Sequence, residues 1–205
     1  MISITQVSIY NFENALRGAR NPMNSWHRTD SHYNAEGQYI LGENDLSLAK
    51  KLCKAGSDHR KFMRQILLSV DILAPLYWWK EFDTYKIGTT ANSTSTMHKI
   101  HSKPFELDDF SHDHLTPTAK EALQALVNVL EAARQNFNET KNKAEWYSII
   151  QLLPSGYNQL RTCTMSYENL HNMYHARKTH KLQEWREFCK WVKTLPYAKE
   201  LITND

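Results

Sequence analysis

Two regions of the sequence hold the side chains best suited to chemistry. Residues 89–96 consist of threonine, serine, asparagine and one alanine, with Thr94 near the end of the run. Short hydroxyl groups and backbone N–H groups beside the end of a helix can bind a phosphate. Arg177 lies near the end of a predicted helix, and a guanidinium binds a phosphate or a pyrimidine edge through paired hydrogen bonds. This composition predicts a site for a nucleotide or another small anion.

Each region also has a simpler structural interpretation. A polar run such as residues 89–96 is typical of a flexible loop. Arg177 equally fits a solvated side chain near a helix C-terminus, where positive charge is favoured. Both interpretations stay open for each region at this point.

Two histidine pairs raise the question of a metal site. His171 and His175 are four residues apart, so on a helix they share a face. The glutamate of the H-E-x-x-H zinc pattern is absent, and Arg177 nearby disfavours a cation. His112 and His114 lie in an acidic stretch and give no stronger signal, so we expect no metal.

The aromatic and cysteine side chains are best explained as core. Trp78, Trp79 and Phe82 can stack on a base or a flavin, but their helical spacing directly after a strand favours burial. Cys163 and Cys189 are predicted to be inert buried thiols.

The elements that must position these residues follow from hydrophobic periodicity. A strand over residues 65–74 leads into Pro75, which suits the first turn of a helix. A first strand over residues 2–9 changes register between Ile4 and Val7. Asn44 or Asp45 is predicted to cap a helix that ends before Gly56. The other predicted elements are helices near residues 13–19, 116–137, 144–153, 167–177 and 181–194, and a short strand over residues 159–164.

These elements make a helix-rich α+β fold with a small mixed or antiparallel sheet. The 205 residues suit one domain over residues 1–205, and a hydrophobic content of 41% is enough for a core. A charge of +3, from 25 basic and 22 acidic residues, excludes an extended nucleic-acid surface.

The cysteines and the lack of long apolar stretches indicate a location for the protein. Three cysteines without a CxxC pair suggest reduced thiols, so we expect a cytoplasmic protein. We identify no signal peptide, and no stretch approaches the ~18 apolar residues of a membrane span.

The order of these features resembles the flavin-dependent thymidylate synthases (thymidylate synthase complementing proteins). A strand, Ala74-Pro75, an aromatic helix and the hydroxyl-rich run come first. A long helix and Leu153-Pro154 before a strand follow, and a helical region with Arg177 comes last. Aligned without gaps on Ala74-Pro75, residues 84–86 fall on the family's R-H-R motif, and Thr94 falls on its serine seven residues later. The resemblance covers the chain from about Leu48 onward.

The resemblance implies an activity, cofactors and an assembly. The family transfers a methylene group from methylenetetrahydrofolate to carbon 5 of dUMP, with FAD and NADPH, and builds its sites between the subunits of a homotetramer. It implies cofactor binding by Thr84, Tyr85, Lys86 and Asn172. It implies nucleotide binding by Arg177, Thr94, Asn92, Thr96 and Glu81.

Several positions depart from the family pattern, mostly by loss of charge. Thr84 and Tyr85 replace cationic residues, Ile150 replaces an arginine that contacts dUMP, and Glu168 reverses the charge of an arginine that contacts the flavin. Two hypotheses follow: an active flavoenzyme that methylates dUMP, and a repurposed, non-catalytic module that binds a pyrimidine nucleotide and has lost the flavin site. Each lost arginine–phosphate contact removes about 1.5–3 kcal/mol, which favours the second. A structural protein without a ligand is a third alternative.

Overall fold

The computed structural model describes residues 2–203, which form a helix-rich α+β fold with a small antiparallel sheet, as predicted. The strands are β1 (Ser3–Tyr10), β2 (His32–Tyr33), β3 (Tyr39–Ile40), β4 (Leu67–Pro75), β5 (Thr90–Ser93) and β6 (Asn158–Ser166). The helices are α1 (Phe12–Arg20), α2 (Glu43–Lys54), α3 (Leu76–Phe82), α4 (Pro117–Thr140), α5 (Lys143–Leu152), α6 (Tyr167–Arg177) and α7 (Gln183–Val192). Among the described residues, none of the helices has the length and apolar content needed to cross a membrane.

The main sheet has the strand order β1-β4-β6-β5, and β2 and β3 form a separate antiparallel pair. Alternate residues of β4 are buried, which gives the sheet one packed face. On the other face, the hydroxyl groups of Ser69 and Thr164 are 2.8 Å apart, and Thr162 donates to the carboxylate of Asp71 at 2.6 Å. Residue numbers rise along β4 and fall along β6 between these pairs, as antiparallel pairing requires.

The described chain divides into two compact units, and four of the five boundaries between them fall within strands, the other being after α3. The first unit comprises residues 2–5, 71–84 and 91–162, and the second comprises residues 6–70, 85–90 and 163–203. The prediction of a single domain stays a prediction.

The first unit has a core between α4, α5 and the irregular segment before α4. Helix α4 begins where the Thr116 side chain accepts a hydrogen bond from the N–H of Ala119, with Pro117 in its first turn. In α3, Trp78, Trp79 and Phe82 are at most 2% exposed, which confirms their prediction as core residues. The main cluster consists of Ile100, Phe105, Phe110, Val127, Leu130, Ala133, Ile149 and Tyr157.

A buried ion pair joins α1 and α2 in the second unit. The guanidinium of Arg20 lies 2.6 Å from the carboxylate of Asp45, and the two residues are 4% and 0% exposed. The other carboxylate oxygen of Asp45 accepts a hydrogen bond from the hydroxyl of Ser31 at 2.6 Å. Every charged group of the pair therefore has partners, as burial requires.

The predicted cap of α2 is wrong. The helix begins at Glu43, so Asn44 and Asp45 lie inside it. Its first N–H groups are satisfied instead by the distant Asp30, whose carboxylate accepts from the N–H of Asn44 at 2.8 Å and of Asp45 at 3.1 Å. The hydrogen bond from Asn44 lowers the pKa of Asp30. Gly42 is required before the helix because a Cβ atom there would collide with the Asp30 side chain.

Other sequence predictions are confirmed. The register change in β1 coincides with Gln6, whose φ of 52° lies in the left-handed region. Helix α6 has the predicted bounds, and Cys163 and Cys189 are buried. Burial raises the pKa of Cys189 to about 11, consistent with an inert thiol.

The ion pair gives a testable prediction for stability. Asp45→Asn leaves the buried guanidinium of Arg20 without its counter-charge, so the free energy of unfolding should fall by about 3 kcal/mol. Urea denaturation measures this loss. The matched change Asp58→Asn, at an exposed position, should alter stability by less than about 0.5 kcal/mol. Equal stability of the two variants would contradict the role given to the pair.

Candidate functional site

The hydroxyl-rich run is partly a strand rather than a loop. Its residues Thr90–Ser93 form β5, at the edge of the main sheet beside β6. The N–H of Thr94 then donates to the carbonyl of Leu160 at 2.9 Å. The flexible-loop interpretation is therefore wrong for residues 90–93, because backbone pairing orders a segment that lacks apolar side chains. The side chains of β5 and of Thr94 are exposed.

A polar network in the first unit connects Thr94 to an arginine. Gln159 donates from Nε2 to the carbonyl of Thr94 at 2.7 Å, and Arg161 donates to the Gln159 side-chain oxygen at 3.0 Å. The guanidinium of Arg161 also donates to Asp83 at 2.7 Å and lies 4.3 Å from the ring centre of Trp79. Stacking and hydrogen bonds together fix this arginine.

Sequence reasoning missed Arg161 as a candidate. A signal was present, because Gln159 and Arg161 are two apart in a predicted strand and such residues share a face. Their connection to the hydroxyl-rich run depends on the pairing of β5 with β6. No local sequence pattern indicates that pairing.

In the second unit, the structure brings together two predicted site residues, Arg177 and Tyr85. Arg177 donates from Nε to the phenolic oxygen of Tyr85 at 2.9 Å. Its guanidinium lies 4.9 Å from the ring centre of Trp185, a fully buried residue of α7. The half-buried arginine at the end of α6 is thus held against two aromatic rings.

The segment of residues 85–90 is fixed at a second point on the same helix. Asn169 donates from Nδ2 to the carbonyl of Ile87 at 2.7 Å, and its side-chain oxygen accepts from the N–H of Ser166, which caps α6. Gly88 has a φ of 75°, and a Cβ atom there would lie 3.1 Å from the Asn169 side chain. A side chain at position 88 would therefore strain this contact. Lys86, between the two attachment points, is exposed.

Glu168, the reversed charge, is neutralised within the second unit. Arg60 donates from Nε to both carboxylate oxygens of Glu168, at 3.1 and 3.0 Å, and the Glu168 side chain is 9% exposed. The carboxylate is therefore a structural partner of Arg60, whose cation offsets the repulsion toward a phosphate expected from the sequence. The two residues are 108 positions apart, which hid the pair from sequence reasoning.

His171 and His175 share one acceptor. Nδ1 of His171 and Nε2 of His175 donate to the carbonyl of Ile202, at 2.8 and 3.1 Å, so both rings support the C-terminal segment of residues 199–203. Burial lowers the pKa of His171. In the part of the chain that the structure describes, no group of three or more histidine, cysteine or acidic side chains is arranged to hold a metal ion.

The predicted site residues divide between the units. The threonine hydroxyl of Thr84 donates to the carbonyl of Glu81 at 2.7 Å, just after α3. Asn172 is exposed on α6, Asn92 is exposed on β5, and Thr96 is half-buried after it. The second unit contains Tyr85, Lys86, Asn172 and Arg177, and the first contains Glu81, Thr84, Asn92, Thr94 and Thr96.

The fold is similar to that of solved thymidylate synthases. Thymidylate synthase X (ThyX) from Helicobacter pylori, solved with FAD and dUMP, matches with a TM-score of 0.68 at 16% identity, over 100% of this chain and 98% of that one. A second structure of flavin-dependent ThyX from Helicobacter pylori, complexed with FAD and dUMP, gives a TM-score of 0.66 at 18% identity, over 98% and 99% of the two chains.

A UMP/dUMP methylase also shares the fold. PolB from Streptomyces cacaoi, bound with 5-Br dUMP, matches with a TM-score of 0.63 at 11% identity, over 100% of this chain and 95% of that one. The sequence matches no protein-family model and no curated protein sequence. At these identities the comparisons establish a ThyX-like fold.

The environment of His171 predicts how stability depends on pH. Its pKa is lowered in the folded state, so near pH 6 the unfolded chain binds more protons, and the free energy of unfolding should rise with pH. The contribution of neutral His171 to stability is complete above about pH 6.5, the pKa of histidine in the unfolded chain. It is lost as the pH falls through the lower pKa of His171 in the folded state. His171→Asn retains an N–H donor but does not titrate.

Urea denaturation between about pH 5 and about pH 7.5 should therefore show a smaller stability gain for His171→Asn than for the unaltered chain. The control His27→Asn, at an exposed position, should retain the full gain. An unchanged pH dependence in His171→Asn would assign the effect to other groups.

Proposed function

We propose that this protein binds a pyrimidine nucleoside monophosphate on a ThyX-like fold. The observation that supports this most directly is that all three similar structures hold dUMP or 5-Br dUMP, although their names describe two different activities. The likeness extends over nearly the whole length of each chain. A nucleotide is the ligand these structures have in common, whereas FAD is named for two of them.

Arg177 is the residue we propose as the main nucleotide contact. Its stacking on Trp185 and its hydrogen bond to Tyr85 restrict the side chain before any ligand arrives. Restricting an arginine in advance reduces the entropy lost on binding. The exposed ammonium of Lys86, next to Tyr85, adds positive charge for a phosphate. In the first unit we propose hydroxyl contacts from Thr94 and Thr96, with Asn92 and Glu81 as further polar contacts.

We extend the proposal to assembly and location. We propose that the candidates act in a cytoplasmic homotetramer, in which one site can draw residues from more than one subunit. Size-exclusion chromatography with light scattering measures the assembly directly.

Removal of the arginine tests the nucleotide proposal. Titration with dUMP and UMP, followed by calorimetry, should show binding, and dUMP should raise the melting temperature. Arg177→Ala should weaken binding about 10- to 100-fold, because it removes a charge-assisted contact of about 1.5–3 kcal/mol. Arg64→Ala, at an exposed position, should leave the affinity unchanged. A nucleotide that binds equally well to Arg177→Ala would place the site elsewhere.

The residues at the implied FAD positions do not fit the two phosphates of that cofactor. Thr84 and Tyr85 are neutral, Glu168 is an acid, and the nearby cation Arg60 is committed to Glu168 at 3.0 Å. Lys86 is the one cation of the 84–86 motif. We therefore propose the repurposed, non-catalytic module rather than a methylase that uses FAD, methylenetetrahydrofolate and NADPH.

The visible spectrum distinguishes these alternatives. We expect the purified protein to lack the flavin absorption band. Added FAD should leave the melting temperature unchanged, because the implied FAD positions offer few cations for its phosphates. A bound flavin, or a stabilisation by FAD comparable to that by dUMP, would favour the active enzyme. If no nucleotide shifts the melting temperature or binds in calorimetry, the structural alternative without a ligand gains support.

A further inference from the structure

We propose that a second site, in the first unit, binds an aromatic anion: a planar ring bearing a carboxylate or a phosphate. A cavity of about 470 Å³ lies between the C-terminal end of α4, the start of α5 and the segment of residues 98–101. This volume suits a ligand of one or two fused rings. None of the nucleotide and cofactor candidates lines the cavity, so the proposal is independent of the function proposed above.

The cavity has an aromatic wall formed by Phe137, Trp146 and Tyr147. Trp146 donates from its indole nitrogen to the carbonyl of Met97 at 3.1 Å, which fixes the orientation of the ring. Tyr147 packs edge-on against Trp146, with ring centres 5.0 Å apart, and is 53% exposed. Partly exposed aromatic rings that are already oriented provide a surface on which another planar ring can stack.

The rest of the lining is basic. Lys141, Lys143, His98 and His101 contribute to it, and no acidic side chain is among the described lining residues. The ammonium of Lys141 lies 5.6 Å from the ring centre of Phe137, so cation and aromatic wall are adjacent. Concentrated positive charge in a concave surface attracts anions.

The backbone conformation at Lys141 determines where this lysine lies relative to the cavity. Its φ of 56° is in the left-handed region, which a residue with a side chain rarely adopts. Its N–H donates to the carbonyl of Phe137 at 2.9 Å, which ends α4. Helix termination therefore places Lys141 beside the aromatic wall.

His101 provides an independent observation. Its ring packs edge-on against Phe137 with centres 4.8 Å apart, and Nδ1 is buried with no hydrogen-bond partner among the described residues. A buried polar nitrogen without a partner is unusual and unfavourable. Because the His101 ring lines the cavity, a rotation that exposes this nitrogen would let a polar group of a ligand, directly or through water, provide the missing partner.

Calorimetry on the full chain tests the site with three probes that share a naphthalene ring: 1-naphthoate, 1-naphthyl phosphate and the uncharged 1-naphthamide, which has the shape of the naphthoate. We expect at least one anion to bind about tenfold more tightly than the amide. The tighter of the two anions identifies the charged group that the site prefers. The double variant Lys141→Gln/Lys143→Gln should bind that anion about tenfold more weakly and the amide unchanged. Both lysines are exposed, so the variant should fold normally.

Lys120→Gln is the matched control, because this exposed lysine lies near the other end of the same helix. It should retain full affinity. The proposal is overturned if amide and anions bind alike, if the double variant retains full affinity, or if no probe binds. Displacement of the bound anion by saturating dUMP would also overturn it, because the cavity would then be the nucleotide site.

Discussion

Helix α6 supplies hydrogen-bond partners to three otherwise separate segments of the second unit. Asn169 and Arg177 hold the segment of residues 85–90, Glu168 binds Arg60, and His171 donates to the C-terminal segment. Because buried polar groups require partners, the position of this helix determines where each segment can lie. The point at which β6 ends and α6 begins therefore controls the geometry of every candidate group in this unit.

The two units use a similar device to position an arginine. Arg161 lies over the ring of Trp79, and Arg177 lies over the ring of Trp185, each indole being fully buried. A flat guanidinium on a buried indole loses rotational freedom while the edges of its plane remain directed toward hydrogen-bond acceptors. Burial of the tryptophans thus has a role beyond filling the core, which the aromatic content of α3 and α7 alone did not suggest.

Features determined by neighbouring residues could be read from the sequence, and those determined by distant residues could not. Thr116-Pro117 and Ser166 begin helices through local hydrogen bonds, so their helices were placed correctly. The cap of α2 comes from Asp30, and the strand over residues 90–93 depends on pairing with β6. In the candidate site, the family resemblance led to predicted roles for single residues, and those roles stay predictions. The partnership of Glu168 with Arg60 needed the fold, because burial joins the two.

The pair of Glu168 and Arg60 also constrains how such a protein can change. An arginine introduced at position 168 would place two guanidinium groups together where the Glu168 side chain is 9% exposed. A charge-changing substitution of Glu168 alone, or of Arg60 alone, leaves a largely buried charge either repelled or unpaired. The effects of substitutions at the two positions on stability are therefore strongly non-additive. A positive charge at position 168 therefore requires a coordinated second substitution at Arg60.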